Sequence, residues 1–158
     1  MKNMSKIALM LGGNLPGTFE AMQTALAKLS AAGVTDIRHS KAMVSKAVDC
    51  VPDTPDFLDM AVTGFWEDTP EKLLILCQRL EREAGRPAEH SSRESRILDC
   101  DIILFGDITL DTPALVIPHP RALKRRFVLE PLAEIAPEMV FPGNLSVAQA
   151  LDELTQSC

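Results

Sequence analysis

Apolar residues fall along this chain in short runs and in helical stripes, separated by glycines, prolines and acidic turns. Residues 7–11 (Ile7, Ala8, Leu9, Met10, Leu11) are an unbroken apolar run that Gly12-Gly13-Asn14 ends, and they read as a first strand. Thr18 is a capping residue type, and Phe19, Met22, Leu26 and Leu29 recur behind it at helical spacing. A helix to about Ala32, closed by Gly33, is predicted. Residues 34–45 read as a second strand without strong alternation, and 46–56, with two prolines and three aspartates, as a loop. Residues 57–66 read as a strand, with the even positions Leu58, Met60 and Val62 predicted to face the core. Thr69-Pro70-Glu71 then supplies a cap, a first-turn proline and an acid for a second helix. Leu73, Leu76, Cys77, Leu80 and Ala84 give that helix its apolar face, and Gly85 ends it.

The stretch 86–95 is polar and predicted to be mobile. Residues 97–105 are the most strand-like of the chain; Gly106-Asp107 turns them into a short strand at 108–110. Beyond Asp111 the pattern predicts turns, a short helix near 121–125 and a helix capped by Ser146. Strand, helix, strand, strand, helix, strand is the split β-α-β order of an α+β, ferredoxin-like βαββαβ core. Both helices should pack on one face of an antiparallel sheet, with a C-terminal extension following. At 158 residues the chain is expected to be a single domain over 1–158, large enough to bury its own core.

Composition narrows the picture. The net charge of −6 argues against a nucleic-acid binder. The apolar run at 7–11 is too short to cross a membrane, so the expectation is a cytoplasmic protein; it is also expected to be a monomer. Cys50, Cys77, Cys100 and Cys158 are scattered and form no C-x-x-C pair, which favours reduced thiols over a zinc or redox motif. Eight of the nine arginines lie between Arg79 and Arg126. Arginine's planar fork suits phosphate oxygens, so the clustering points to a compact polyanion; ordinary surface ion pairs would give the same pattern.

The candidate chemistry sits in two segments. In Leu98-Asp99-Cys100-Asp101 the two-residue strand period places both aspartates on one face, close enough to grip metal ions together. Magnesium favours a few carboxylates plus substrate phosphates; two solvated acids on a half-exposed strand are the plainer alternative. Further on, His119 stands between Pro118 and Pro120, which restrict its backbone, and Arg121, Lys124, Arg125 and Arg126 follow. Phe127 offers a ring face to a flat ligand.

Taken together, GGN at 12–14, FLDMAV at 57–62, REAGR at 82–86, RILDCDIILFG at 96–106, and LDTP, IPHPR and FVLEPLAEIAP downstream resemble the 6-hydroxymethyl-7,8-dihydropterin pyrophosphokinases. The likeness runs in order along nearly the whole chain. It implies transfer of pyrophosphate from Mg·ATP to the hydroxymethyl group of the pterin, a step of folate synthesis, with two Mg2+ ions and ATP as co-substrate. It further implies that Asp99 and Asp101 hold the metal ions and that Arg86 and Arg96 act with them on the triphosphate. Gln78, Glu81, Ile102, His119 and Arg125 would join Arg96 in binding ATP. Gly12, Phe57, Asp59 and Phe127 would form the pterin site, Asp59 standing where the family has an asparagine. The chain departs from the family pattern in having Arg93-Glu94-Ser95-Arg96 for R-W-G-P-R and G-G-N for G-S-N. A nucleotide-binding relative with an altered acceptor, a metal-dependent nucleotidyl transferase and a non-catalytic ferredoxin-like module are the competing readings.

Overall fold

The computed structural model describes residues 4–46, 56–85 and 96–156. Five strands form the main sheet: β1 (Ser5–Gly13), β2 (Thr35–His39), β3 (Met43–Ser45), β4 (Phe57–Trp66) and β5 (Asp99–Phe105). The spatial order is β2-β4-β1-β5, with β3 on β4 beyond β2, and every pairing is antiparallel. Helices α1 (Thr18–Ala31) and α2 (Pro70–Glu83) cover one face. This is the expected ferredoxin-like arrangement.

Local chemistry explains most element ends. Thr69 caps α2 by accepting the Lys72 N–H at 3.2 Å, with Pro70 at the first helical position. Leu73, Leu76, Cys77 and Leu80 are buried, as their spacing predicts, and Gly33 and Gly85 follow the two helices. Thr18, by contrast, is not a cap. Gly17 in the left-handed region occupies that position, and the Thr18 hydroxyl instead donates to the Ile97 carbonyl at 2.8 Å, tying the helix start to the lead-in of β5. Phe19 is exposed, and α1 buries Met22, Ala25 and Leu29.

The predicted single strand at 34–45 is two short ones. Fully buried Ser40 breaks it: its N–H donates to the Ala61 carbonyl and its hydroxyl accepts the Ala61 N–H, so a side chain replaces one rung of the ladder. The short strand predicted at 108–110 lies slightly later, as β6 (Leu110–Asp111), pairing with β7 (Val116–Ile117).

The C-terminal extension does more than add turns. A 3-10 turn at Ala122–Lys124 leads into α3 (Arg126–Ile135), then β8 (Val140–Phe141), β9 (Leu145–Ser146) and α4 (Val147–Gln156). Helix α4 begins with a reciprocal cap. Ser146 Oγ accepts the Gln149 N–H at 3.1 Å, and Gln149 Oε1 accepts the Ser146 N–H at 2.9 Å. Val128, Leu129, Leu132, Phe141, Val147 and Ala150 cover the second face of the sheet against Ala8, Met10, Ala61 and Ile103. Helices therefore lie on both faces, and β1 and β4, buried on both sides, read as apolar runs rather than clean alternations.

One detail of β5 departs from simple alternation. Ala8 pairs with Leu104 while the next residue, Leu9, pairs with Ile102, so Ile103 is the extra residue of a β-bulge. Leu98, Cys100 and Ile102 face α1 and α2 as expected, but beyond the bulge Leu104 joins Ile103 on the α3 face. Cys77 and Cys100 are free and buried. The hydrogen bond with Cys77, and then burial, push the Cys100 thiol well above its ordinary range, in keeping with unreactive thiols. No helix among the described residues is long and apolar enough to cross a membrane.

Candidate active site

Sheet register builds the site. Gly12 on β1 is paired on one side with Asp59 on β4 and on the other with Asp99 on β5. Neighbouring strands lie about 4.8 Å apart, so the two carboxylates stand on strands about 10 Å apart across a glycine floor. A Cβ on Gly12 would come within 3.3 Å of Asp59 Oδ1, so a side chain there would crowd the gap between the acids. Alternation puts Asp101, opposite Met10, on the same face as Asp99. That face is the one α3 and α4 cover farther along, and Asp99 and Asp101 are half-buried on it.

Three connections bring two arginines and a histidine to this row. Arg96, just before β5, is held by Asn14 through both of its backbone polar groups: its N–H donates to Asn14 Oδ1 at 2.8 Å and its carbonyl accepts the Asn14 N–H at 2.9 Å. Its guanidinium reaches Asp99 Oδ2 at 2.8 Å and lies 5.7 Å from the centre of the Phe57 ring. Arg125, between the 3-10 turn and α3, lies 5.2 Å from the Phe127 ring centre and acts electrostatically on Asp59, Asp99 and Asp101. Partial burial, then the neighbouring Arg121, lower its pKa, and the three acids oppose that shift.

His119 is tied to β5 by its backbone N–H, which donates to the Ile103 carbonyl at 3.0 Å. The Arg121 N–H donates to His119 Nδ1 at 3.2 Å, which leaves the proton of the neutral ring on Nε2. Burial, with Arg125 and Arg121 adding to it, pulls the imidazole pKa down. The ring is therefore a neutral hydrogen-bond donor at physiological pH.

Asp59 is the most buried of the three acids, 5% exposed. Burial raises its carboxyl to about 6; the Ser45 hydroxyl and Arg125 work against that rise and Asp99 adds to it. Ser45 donates to Asp59 Oδ2. Phe57 and Phe127 lie near the two ends of the row, Phe127 with over a third of its surface exposed.

The structure thus gathers Arg96, Asp99, Asp101, His119, Arg125, Gly12, Phe57, Asp59 and Phe127 around one patch of sheet. Three other residues lie elsewhere. Gln78 is exposed on α2, and the Glu81 carboxylate accepts the Cys100 N–H at 2.9 Å, beside β5 on its α2 side. The Ile102 side chain is buried against α1 and α2, which leaves only its main chain for a ligand. Arg86 and the stretch 86–95, like the loop at 47–55, lie outside the described residues. Sequence reasoning passed over Asn14, noticed only as part of GGN, and Ser45, which carries no signal at all.

Hard carboxylate oxygens at alternate positions of one strand, open on one side and next to arginines, fit magnesium shared with phosphate. Among the described residues no three His, Cys, Asp or Glu side chains gather closely enough to hold a metal ion, so Asp99 and Asp101 would share such an ion with ligands from outside this set.

Fold and cleft together define a class: a ferredoxin-like α+β domain that presents carboxylates and arginines at the open end of its sheet, suited to a metal-bound polyanion. The chain belongs to the 7,8-dihydro-6-hydroxymethylpterin-pyrophosphokinase family, whose profile matches residues 8–137. It is 38% identical over 146 residues to the 2-amino-4-hydroxy-6-hydroxymethyldihydropteridine pyrophosphokinase of Synechocystis sp., covering 91% of this chain and 73% of that protein. It is 32% identical over 149 residues to the folic acid synthesis protein fol1 of Pneumocystis carinii, covering 94% of this chain and only 20% of that one. The crystal structure of wild-type Plasmodium falciparum HPPK-DHPS shares the fold, with a TM-score of 0.70 at 14% identity over 98% of this chain and 42% of the other.

Proposed function

We propose that this chain transfers the pyrophosphoryl group of ATP to the hydroxymethyl oxygen of 6-hydroxymethyl-7,8-dihydropterin. A bond forms between that oxygen and the β-phosphorus, the bond from the β-phosphorus to the α,β-bridging oxygen breaks, and AMP leaves. The hydroxyl proton passes to solvent or to a nearby base. The observation that carries this reading is the row Asp59–Gly12–Asp99, which puts a buried acceptor and a metal-type carboxylate on either side of a bare floor. Alternative acceptors gain no support from any contact in the site.

Such a transfer needs in-line positioning and charge neutralisation more than covalent chemistry. Asp99 and Asp101 would hold magnesium, two ions in this reading, which when bound offsets phosphate charge and makes the β-phosphorus more electrophilic. Arg96 and Arg125 supply fixed positive charge beside the same acids. The Nε2–H of His119 offers a hydrogen bond to a phosphate oxygen without adding a charge that would need to be neutralised. Phe57 and Phe127 offer apolar ring faces for a flat heterocycle, and Asp59 accepts from its N–H groups. Gln78, Glu81 and the Ile102 main chain would serve the adenosine end on the α2 side of β5, with Arg86 assigned to the triphosphate.

The test is AMP release by purified protein given ATP, magnesium and the pterin, with the pterin omitted as control. Pterin-dependent AMP with equimolar pterin pyrophosphate is the expected result. AMP at the same rate without pterin, or none at all under conditions where ATP binds, would overturn the proposal.

A further inference from the structure

The two oxygens of Asp59 have different surroundings. Oδ2 accepts the hydroxyl hydrogen of Ser45, while Oδ1 overhangs the glycine floor, 3.3 Å from where a Cβ on Gly12 would stand. Ser45 is the last residue of β3. It pairs with Phe57, so Met43 is the residue directly opposite Asp59, and Ser45 reaches it along a diagonal of the ladder. On the β1 side position 12 has no side chain, so the glycine itself puts nothing beside Oδ1. A carboxylate standing free on a strand would spread its two oxygens over several χ2 orientations, since that torsion is broad. Here one oxygen is claimed from the β3 side, and the other is left for the cleft.

We propose that Ser45 is a specificity-determining positioning residue. By holding Oδ2 it turns Asp59 so that Oδ1 is presented as an acceptor toward the β1 floor, matching the N–H edge of an aminopyrimidinone-type ring and disfavouring its carbonyl edge. The inference rests on the pterin reading given above and deepens it. Ser45 itself touches no reacting atom. The hydroxyl has a single hydrogen, already spent on Asp59, so its influence on the ligand runs through the orientation and the charge of that carboxylate.

The position also suits the task structurally. β3 is a three-residue strand whose strand partner among the described residues is β4, so a single side-chain contact can govern how its end sits against Asp59. Threonine carries the same hydroxyl and favours strands, so it should substitute without disturbing the backbone.

The experiment compares wild type, Ser45→Ala and Ser45→Thr. Calorimetry measures pterin binding with a non-hydrolysable ATP analogue and magnesium present, and AMP release measures turnover. In Ser45→Ala the Kd and KM for the pterin should rise about five- to tenfold, the weight of one ordinary hydrogen bond, with KM for ATP and kcat changed less than twofold. Ser45→Thr should return the pterin values to within about twofold of wild type. An unchanged pterin Kd in Ser45→Ala, an equal rise in KM for both substrates, or failure of threonine to rescue a correctly folded protein would each overturn the assignment. If wild type binds the pterin but releases no AMP, the pyrophosphokinase reading fails while the Kd comparison still decides the role of Ser45. If wild type does not bind the pterin, both fall.

Discussion

Replacing Asp59 with asparagine should stabilise the ligand-free protein above pH 6 and leave it nearly unchanged at pH 4. Burial raises this carboxyl from 3.8 to about 6, the net result after the Ser45 hydroxyl and Arg125 have pulled it down and Asp99 has pushed it up. In the unfolded chain the proton leaves near 3.8; in the folded protein it stays until about 6. Between those values the native state binds more protons than the unfolded one, so stability falls as pH rises through the window and then levels off. A gap of roughly two pH units corresponds to about 3 kcal/mol at full ionisation. Asparagine is nearly isosteric, keeps a carbonyl for the Ser45 hydroxyl and carries no charge at any pH. The stability difference between the two proteins should therefore grow from near zero at pH 4 to about 3 kcal/mol in favour of the variant at pH 7.5. Urea unfolding at unit pH intervals from 4 to 8 measures it directly. A difference that stays constant across that range would refute the argument that burial governs Asp59. One that grows in favour of wild type would mean that pairing with Arg125 outweighs desolvation.

Three further substitutions test the site and its scaffold. Asp99→Asn and Asp101→Asn should each lower the AMP release rate by about a hundredfold or more, as expected when a metal-type carboxylate is lost, with the far-ultraviolet circular dichroism unchanged. Gly13→Ala should destabilise the protein by about 1–3 kcal/mol in urea unfolding, because the added methyl would run into the Ile97 carbonyl and the Thr18 side chain.

Much of the architecture was legible because local signals agreed with the global fold. Thr69-Pro70-Glu71 opened α2 and Ser146 opened α4 through contacts between residues three apart, which a sequence displays directly. The errors came where a distant residue outbid the local one. Thr18 looks like a cap, but its hydroxyl is used by Ile97, which lies far along the chain. Leu104 looks like a member of the Cys100 and Ile102 face, but a bulge opposite Ala8 and Leu9 turns it over. Ser40 splits a predicted strand because its hydroxyl meets the backbone of Ala61. The Pro131 inside α3 hid that helix, whose apolar residues are held by packing on the second face of the sheet rather than by propensity.

The site divides in the same way, and the division bears on mechanism. Its acids come from the sheet: Asp59 on β4 and Asp99 and Asp101 on β5 flank β1, and the two-residue period of a strand makes the second pair visible in the sequence. Its nitrogen-bearing side chains come from connections. Arg96 precedes β5 and depends on Asn14, Arg125 sits between two helical turns, and His119 hangs from the Ile103 carbonyl. No periodicity announces those positions: His119 and Arg125 stood out only as a histidine between prolines and a member of the basic run behind it, Arg96 through family resemblance, and Ser45, with two strands between it and the metal-type acids, through neither route. Residues set in a paired sheet move little, whereas a connection can shift without disturbing the core. In the proposed reaction the carboxylates would therefore define where a metal-bound phosphate chain lies, and the arginines would adjust to it. This order suits a transfer in which the line from acceptor oxygen through phosphorus to leaving oxygen must be held straight while charge migrates along it.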